Sequence, residues 1–274
     1  MVVLDELIQS IANKNVILFV GAGVSKNLGA PTWAELIDHM GRELGYDPQV
    51  FSARGANYLT LAEFYKLEKG TIGPLRSWMD KNWNVDNAAL LKSEVHRLIT
   101  EIGFPIIYTT NYDSNIESAF KLHNKEHIKI VDVRDISRIE DGHTQIVKFH
   151  GDFENDNSIV LTETDYFERL TFDYPLDVKL RSDALGKTIL FIGYSLNDMN
   201  IRLLLHKIWK TWQISGHAKY RPSSYVFLPT PDPIQEVVLR QWDVKVISED
   251  SPEPGHALEA FLNRLLPPSA KVAS

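Results

Sequence analysis

Short continuous apolar runs recur along the chain and alternate with stretches whose apolar residues repeat every three to four positions. The first run, Val16–Val20, ends at Gly21. Such runs are typical of parallel strands buried on both faces, because a half-exposed strand alternates apolar and polar residues. The pattern predicts seven strands, at residues 16–20, 104–108, 145–149, 158–161, 188–192, 224–228 and 244–247.

Helical periodicity fills most of the remaining chain. It predicts an opening helix at Val3–Ile11, a closing helix at Ala257–Leu266, and four helices between the first two strands, at about 34–44, 58–69, 75–82 and 88–99. Alternating strands and helices imply right-handed crossovers. The predicted fold class is therefore α/β: a Rossmann-like doubly wound parallel sheet with a helical insertion after the first strand. We expect one domain over residues 1–266, with a helical subdomain at about 34–100 and a tail at 267–274.

Composition excludes several functions. The 274 residues include 29 basic and 36 acidic side chains, a formal net charge of −7, which argues against a general nucleic-acid binder. The chain has no cysteine, so disulfides, thiol nucleophiles, iron–sulfur clusters and cysteine-based zinc sites are excluded. No stretch approaches the ~20 apolar residues of a membrane span. A cytoplasmic protein without direct membrane or nucleic-acid binding is expected.

Polar or glycine-rich turns follow four of the predicted strands. In an open parallel sheet, ligands bind beyond the carboxyl ends of the strands, so these turns are expected to meet at one edge. The four turns are Gly21–Ser25, Thr109–Asp113, His150–Asp152 and Gly193–Asp198.

Taken singly, each turn also has a purely structural interpretation. Gly-Ala-Gly opening a helix suits a pyrophosphate or simply a tight turn, and Lys26 breaks the full G-x-G-x-x-G pattern. Asn111 and Asp113 either contact a ligand or cap a helix that begins near Ser114. His150 is either a functional group or a satisfied buried histidine.

Two further pairs of polar residues also allow a structural or a functional interpretation. Ser195 and Asp198 form either a capping box or a ribose contact. His123 and His127 are four residues apart but lack the H-E-x-x-H arrangement, so no metal site is expected.

The motifs GAGVSKNLGAP, TTNYD, HG and GYS, each at a strand end, together resemble those of the Sir2 (sirtuin) superfamily, which run GAGxSxxxGxP, TQNxD, HG and GxS. The departures are informative. Deacylase sirtuins carry a zinc held by four cysteines, their TQN glutamine is Thr110 here, and their Phe-Arg is replaced by Trp33-Ala34. These features resemble the bacterial Sir2-like branch of anti-phage defence systems, whose members hydrolyse NAD+.

The resemblance implies roles for individual residues. Asn111 would orient the nicotinamide ribose and the attacking water, and His150 would act as general base. Asp113 would hold the nicotinamide carboxamide, and Trp33 would cover the reactive ribose face. The remaining implied NAD-binding residues are Gly21, Ala22, Gly23 and Ser25 at the pyrophosphate, Gly193 and Ser195 at the adenosine half, and Thr110.

The expected function is hydrolysis of NAD+ to nicotinamide and ADP-ribose by an effector that depletes NAD+ in abortive infection. NAD+ is then a substrate, and no metal is required. Two alternatives remain: an NAD-dependent protein-lysine deacylase, and a catalytically silent module that senses NAD+ or ADP-ribose. A homo-oligomer is expected, with a separate sensor or activator subunit of the HerA-type ATPase or short Argonaute type.

Overall fold

The computed structural model describes residues 2–26, 28–53, 57–170, 173–194, 199–249, 251 and 253–267. Within them, seven strands form one sheet in which every neighbouring pair is parallel, in the order β3-β4-β2-β1-β5-β6-β7. The fold class predicted from the sequence is thereby confirmed. The strands are β1 Val16–Val20, β2 Ile106–Thr109, β3 His127–Ile130, β4 Thr144–Lys148, β5 Thr188–Ile192, β6 Ser224–Leu228 and β7 Val244–Ser248.

Helices connect the strands and cover both faces of the sheet. The described helices are α1 Val2–Ala12, α2 Gly23–Lys26, α3 Trp33–Glu43, α4 Pro48–Ala53, α5 Tyr58–Lys69, α6 Gly73–Trp83, α7 Asn87–Lys92, α8 Glu94–Ile102, α9 Asn115–Leu122, α10 Val133–Ile136, α11 Glu163–Leu170, α12 Pro175–Gly186, α13 Met199–Ile214, α14 Pro233–Arg240 and α15 Pro254–Leu265. None of them is long and apolar enough to cross a membrane.

The sheet separates two apolar layers. Val16 and Leu18 of β1 face a layer that contains α1, α8 and α15, whereas Ile17 and Phe19 face a layer with α12 and α13. Because successive strand residues point to opposite faces, one continuous apolar run supplies both layers. A third cluster lies among α3, α4, α5 and α6, which the chain inserts between β1 and β2.

One predicted strand was wrong and one strand was missed. Residues 158–161 end a 3-10 turn and continue without joining the sheet. Their apolar side chains Ile159 and Leu161 pack instead into the third cluster, a burial that an apolar run cannot distinguish from burial in a sheet. The missed strand is β3, whose first three residues are only partly buried because it lies at the sheet edge.

The helix predicted at 88–99 is two helices, α7 and α8, which meet at Ser93. This residue has extended backbone (ψ 103°), and its hydroxyl accepts a hydrogen bond from the His96 N–H. It therefore ends one helix and caps the next, a role for which serine is well suited.

The strand order places a topological switch at β1. From β1 the chain first builds the β2, β4 and β3 side of the sheet and then crosses to β5, β6 and β7 on the other side. The connections that follow the neighbouring strands β1 and β5 lead to opposite faces of the sheet, through α8 and α13. This divergence opens a crevice at the carboxyl ends of the strands, which is where open α/β sheets bind ligands.

Candidate functional site

A cavity of about 1200 Å³ lies at this carboxyl edge. It is bounded by the loops after β1, β2, β4, β5 and β6 and by the inserted helices. Nine of the residues proposed from the sequence line it: Ala22, Gly23, Ser25, Trp33, Thr110, Asn111, Asp113, His150 and Gly193. Gly21 is not a lining residue, and Ser195 and Asp198 lie outside the described residues.

The loop after β1 packs directly on the loop after β5. The N–H groups of Gly21 and Gly23 donate to the carbonyls of Ile192 and Gly193, each at 2.9 Å. A Cβ at Gly21 would lie 2.5 Å from the Gly193 oxygen, so only glycine allows the loops to approach this closely. These two glycines thus serve the loop–loop contact, and their N–H groups are already engaged within the protein.

Asn111 joins the loop after β2 to the loop after β1. Its Nδ2 donates to the Gly21 carbonyl at 3.3 Å and to Ser25 Oγ at 3.4 Å. Its backbone N–H donates to Thr109 Oγ1 at 3.0 Å, and that hydroxyl donates to the Val20 carbonyl at 2.9 Å. The amide nitrogen is therefore bound to the protein, and the amide oxygen remains as the group that can accept from a ligand.

Asp113 is both a cap and a member of the site. Its Oδ1 accepts from the Asn115 N–H at 3.1 Å, at the start of α9, while its Oδ2 accepts from Ser25 Oγ at 3.2 Å. Helix capping and a place in the cavity, which the sequence left as alternatives, thus coexist in one carboxyl group. Burial raises the pKa of Asp113, and the nearby Lys148 ammonium opposes that rise.

His150 lies on the cavity wall and is 2% exposed. Its ring stacks on Phe149 and meets Tyr166 edge to face, and its Nδ1 lies 3.5 Å from the Tyr166 hydroxyl. Its Nε2 is buried and has no hydrogen-bond partner among the described residues. Burial, and secondarily the Arg169 guanidinium, lowers the pKa of His150 from the ordinary histidine value of about 6.5 to about 3.

A family model described as a SIR2-like domain matches residues 105–247, just over half of the chain. The chain belongs to the SIR2-like family. The predicted resemblance, based on the motifs at the strand ends, is thereby confirmed.

Curated relatives of this SIR2-like chain include NAD(+) hydrolases. It is 30% identical over 210 residues to the NAD(+) hydrolase ThsA of Enterococcus faecium, with 76% of this chain and 42% of that protein aligned. It is 30% identical over 252 residues to the Defense-associated sirtuin 2 of Bacillus subtilis, with 88% of this chain and 23% of that protein aligned. The chain thus spans less than half the length of these relatives.

A solved Sir2 homologue in complex with NAD aligns with 98% of this chain and 95% of that chain, at 14% identity and a TM-score of 0.49.

Three tyrosines of the cavity were not among the residues that the sequence of this SIR2-like chain proposed. Tyr194 shares a 2.7 Å hydrogen bond with the Thr110 hydroxyl, and Tyr166 contacts His150. Tyr58 lies parallel to Trp33 with ring centroids 6.4 Å apart. All three tyrosines line the cavity. Tyr194 lies in the turn after β5 that the sequence singled out, whereas Tyr58 and Tyr166 lie on helices, where aromatic residues are usually core residues, so only the tertiary structure reveals those two.

Asn115 was also not proposed from the sequence, although its side chain contacts residues on both sides of the site. Its Nδ2 donates to the Trp83 carbonyl at 3.1 Å and lies 3.4 Å from Ser25 Oγ, while its Oδ1 accepts from the Val85 N–H at 2.9 Å. The asparagine therefore joins α6 of the helical insertion to the loop that carries Asn111. The signal that could have identified Asn115 is the N-x-D-x-N spacing of the TTNYDSN segment, in which Asn115 follows Asp113 at the same interval at which Asp113 follows Asn111.

The two histidines considered as a metal pair lie on different elements. His123 follows the end of α9, and His127 begins β3, so they do not share a helical face. No group of three or more histidine, aspartate or glutamate side chains among the described residues is arranged to hold a metal ion.

Proposed function

We propose that this chain hydrolyses the N-glycosidic bond of NAD+, releasing nicotinamide and ADP-ribose. The observation that carries the proposal is the grouping of Asn111, Asp113 and His150 around one cavity at the topological switch of a SIR2-like fold. The similarity to proteins named NAD(+) hydrolases supports the same substrate. The cavity is large enough for a dinucleotide, since ordinary ligand pockets occupy about 300–1000 Å³.

The chemistry requires positioning more than acid catalysis. When the bond between the ribose C1′ and the pyridinium nitrogen breaks, both bonding electrons go to nicotinamide, which leaves as a neutral molecule. Positive charge then develops on the ribose as an oxocarbenium ion, and water adds to C1′ and loses a proton. The protein must hold the ribose and a water in line and must accept that proton.

In this proposal His150 accepts the proton. With a pKa of about 3, its imidazole is neutral at every physiological pH, as an acceptor must be. Such a low pKa makes it a weak base, but water that has added to an oxocarbenium ion is a strong acid, so a weak base suffices. The partnerless Nε2 of His150 is the atom that supports this role.

Asn111 and Asp113 would act on the two sides of the bond that breaks. The Asn111 amide oxygen accepts from the ribose hydroxyl or the attacking water, while its nitrogen stays bound to Gly21 and Ser25. The Asp113 carboxyl accepts from the nicotinamide carboxamide. Trp33 and Gly23, which both line the cavity, would contact the reactive ribose and the phosphates, respectively.

We further propose that this activity depletes NAD+ in a bacterial anti-phage response in the cytoplasm. The similarity to a protein named Defense-associated sirtuin 2 supports this role. An effector of this kind must have low activity before infection. Assembly into a homo-oligomer, together with a separate sensor or activator subunit, would provide that control.

The test is product analysis by chromatography after the purified chain is incubated with NAD+, with and without an acetylated peptide. We expect nicotinamide and ADP-ribose without peptide, and a loss of at least ~100-fold in turnover for Asn111→Ala and for His150→Ala. His217→Ala, which replaces an exposed histidine far along the chain, is the matched control. Acetyl-ADP-ribose formed only with peptide would identify a deacylase, and NAD+ binding without cleavage would identify a silent sensor.

A further inference from the structure

A lysine is fully buried beneath the proposed catalytic residues. Lys148 is the last residue of β4, two positions before His150, and is 1% exposed. Its ammonium donates a hydrogen bond to the backbone carbonyl of Asp113, and its Nζ lies 3.3 Å from Oε1 of Glu117 on α9. Glu117 is itself buried. The lysine thus joins β4, the loop after β2, and α9.

Such a pair is costly for the fold. Transfer of an ammonium and a carboxylate out of water carries a penalty of several kcal/mol per ion, and well-packed apolar residues of similar size are often equally or more stabilising. The contact with Glu117 is an ion pair without hydrogen-bond alignment, because neither Glu117 oxygen has a hydrogen-bond partner among the described residues. Stability alone therefore gives a weak reason for these two charges.

The hydrogen bond to the Asp113 carbonyl indicates another reason. That carbonyl belongs to the loop that carries Asn111 and Asp113, and the same lysine continues along the strand into His150. One ammonium group therefore ties together the two segments whose relative placement the reaction depends on.

We infer that Lys148 and Glu117 form a positioning pair that holds the Asn111–Asp113 loop against His150 and sets the charge of the Asp113 carboxyl. This inference rests on the proposed NAD+ hydrolysis for its catalytic consequence. Neither residue is placed in contact with substrate.

The electrostatic part follows from the groups around Asp113. Among the described residues, two charged side chains act on it: Lys148 from β4 and Glu117 from α9. The neutral Ser25 hydroxyl and the Asn115 N–H donate to its carboxyl oxygens. Burial raises the pKa of Asp113, Lys148 lowers it, and Glu117 raises it by less than Lys148 lowers it. Removing both partners therefore leaves the Asp113 carboxyl harder to ionise.

The variants must separate positioning from folding. Lys148→Met alone leaves two buried carboxyl groups without their cation, so this variant is expected to fold poorly. The double variant Lys148→Met/Glu117→Gln removes one charge of each sign with little change in volume, and it is expected to fold. Lys179→Met/Asp183→Asn is the matched control, since Lys179 also pairs with a carboxylate (Asp183 Oδ2, 2.8 Å) in a mostly buried position, but this pair makes no hydrogen bond to the Asn111–Asp113 loop.

Two measurements decide the inference. The Asp113 carboxyl is titrated by ¹³C NMR in the ligand-free full chain, with Asp113→Asn used for assignment, and we expect its pKa to be higher in the double variant than in the wild type. Steady-state NAD+ hydrolysis is measured across pH, and we expect kcat to fall by about 100-fold while KM changes by less than about threefold. The acid limb of kcat should move to higher pH in the double variant.

A merely structural pair would give a different outcome. In that case the folded Lys148→Met/Glu117→Gln variant would titrate at Asp113 like the wild type and retain the kcat and pH profile of Lys179→Met/Asp183→Asn, and the inference would be overturned. If the wild type itself does not cleave NAD+, the proposed function fails, and the Asp113 titration alone decides whether Lys148 and Glu117 set the charge of that carboxyl.

Discussion

Acid is expected to destabilise this protein through the burial of His150. The unfolded chain binds a proton at this histidine with the ordinary pKa of about 6.5. In the folded state, burial and then Arg169 lower the pKa to about 3. Because the unfolded state takes up the proton first, the folded state has its full stability above pH 6.5 and loses stability as the pH falls from there toward 3.

The magnitude follows from the two pKa values. At pH 5, protonation of this histidine in the unfolded chain raises the unfolding equilibrium constant by a factor of about 30, because the imidazole of the folded chain remains neutral. This factor corresponds to about 2 kcal/mol relative to pH 7.5. The figure does not depend on the exact pKa in the folded state, provided that this pKa lies well below 5.

The assay is equilibrium unfolding in urea at pH 7.5 and pH 5.0, by circular dichroism, for the wild type and for His150→Gln. On acidification the free energy of unfolding is expected to fall by about 2 kcal/mol more in the wild type than in His150→Gln, because the variant lacks the buried imidazole. Comparing each protein with itself at two pH values cancels the packing cost of the substitution.

A second buried histidine provides an internal check. Burial, and then His123, lowers the pKa of His96 to about 4, so His96→Gln is expected to remove a similar share of the pH dependence. His217→Gln, at an exposed histidine, is the control for the substitution itself. Equal acid sensitivity in the wild type and His150→Gln would refute the argument that His150 is held neutral by burial.

Two further predictions concern the support of the site. Gly151→Ala should destabilise the fold by at least ~2 kcal/mol more than Gly142→Ala. Both glycines have φ near +85°, but only at Gly151 would a Cβ lie 2.1 Å from a backbone oxygen, that of Ser158. Equal thermal denaturation midpoints of the two variants would contradict this prediction. Asn115→Ala should cost about 2 kcal/mol by leaving buried backbone groups of α6 and the following loop unpaired, whereas the exposed Asn157→Ala should cost less than about 0.5 kcal/mol, as judged by urea denaturation.

The sheet was largely predictable because burial on both faces leaves a local signature. Six of the seven described strands coincide with apolar runs; five of the six are central strands, which have no polar face, and the sixth is the edge strand β7. The edge strand β3 lacks this signature, as its side chains are partly exposed. Residues 158–161 carry the signature without being a strand, because the inserted helices bury them instead.

The candidate site was predictable to the extent that it lies in turns after strands. Asn111 and Asp113 follow one strand and His150 follows another. Because parallel strands end at one edge, the sequence alone was sufficient to group them. Lys148, within a predicted strand, gave no such signal. Its partner Glu117 is 31 residues away along the chain, and no local pattern relates the two.

The sequence alone therefore determines three things: the parallel sheet, the edge at which its polar turns meet, and the family to which those turns belong. Only the tertiary structure determines the properties of the groups at that edge. The low pKa of His150, the opposing influences on Asp113 and the burial of Lys148 all depend on which side chains exclude water from which charges. Desolvation and charge–charge interactions act through space, so residues far apart along the chain decide them.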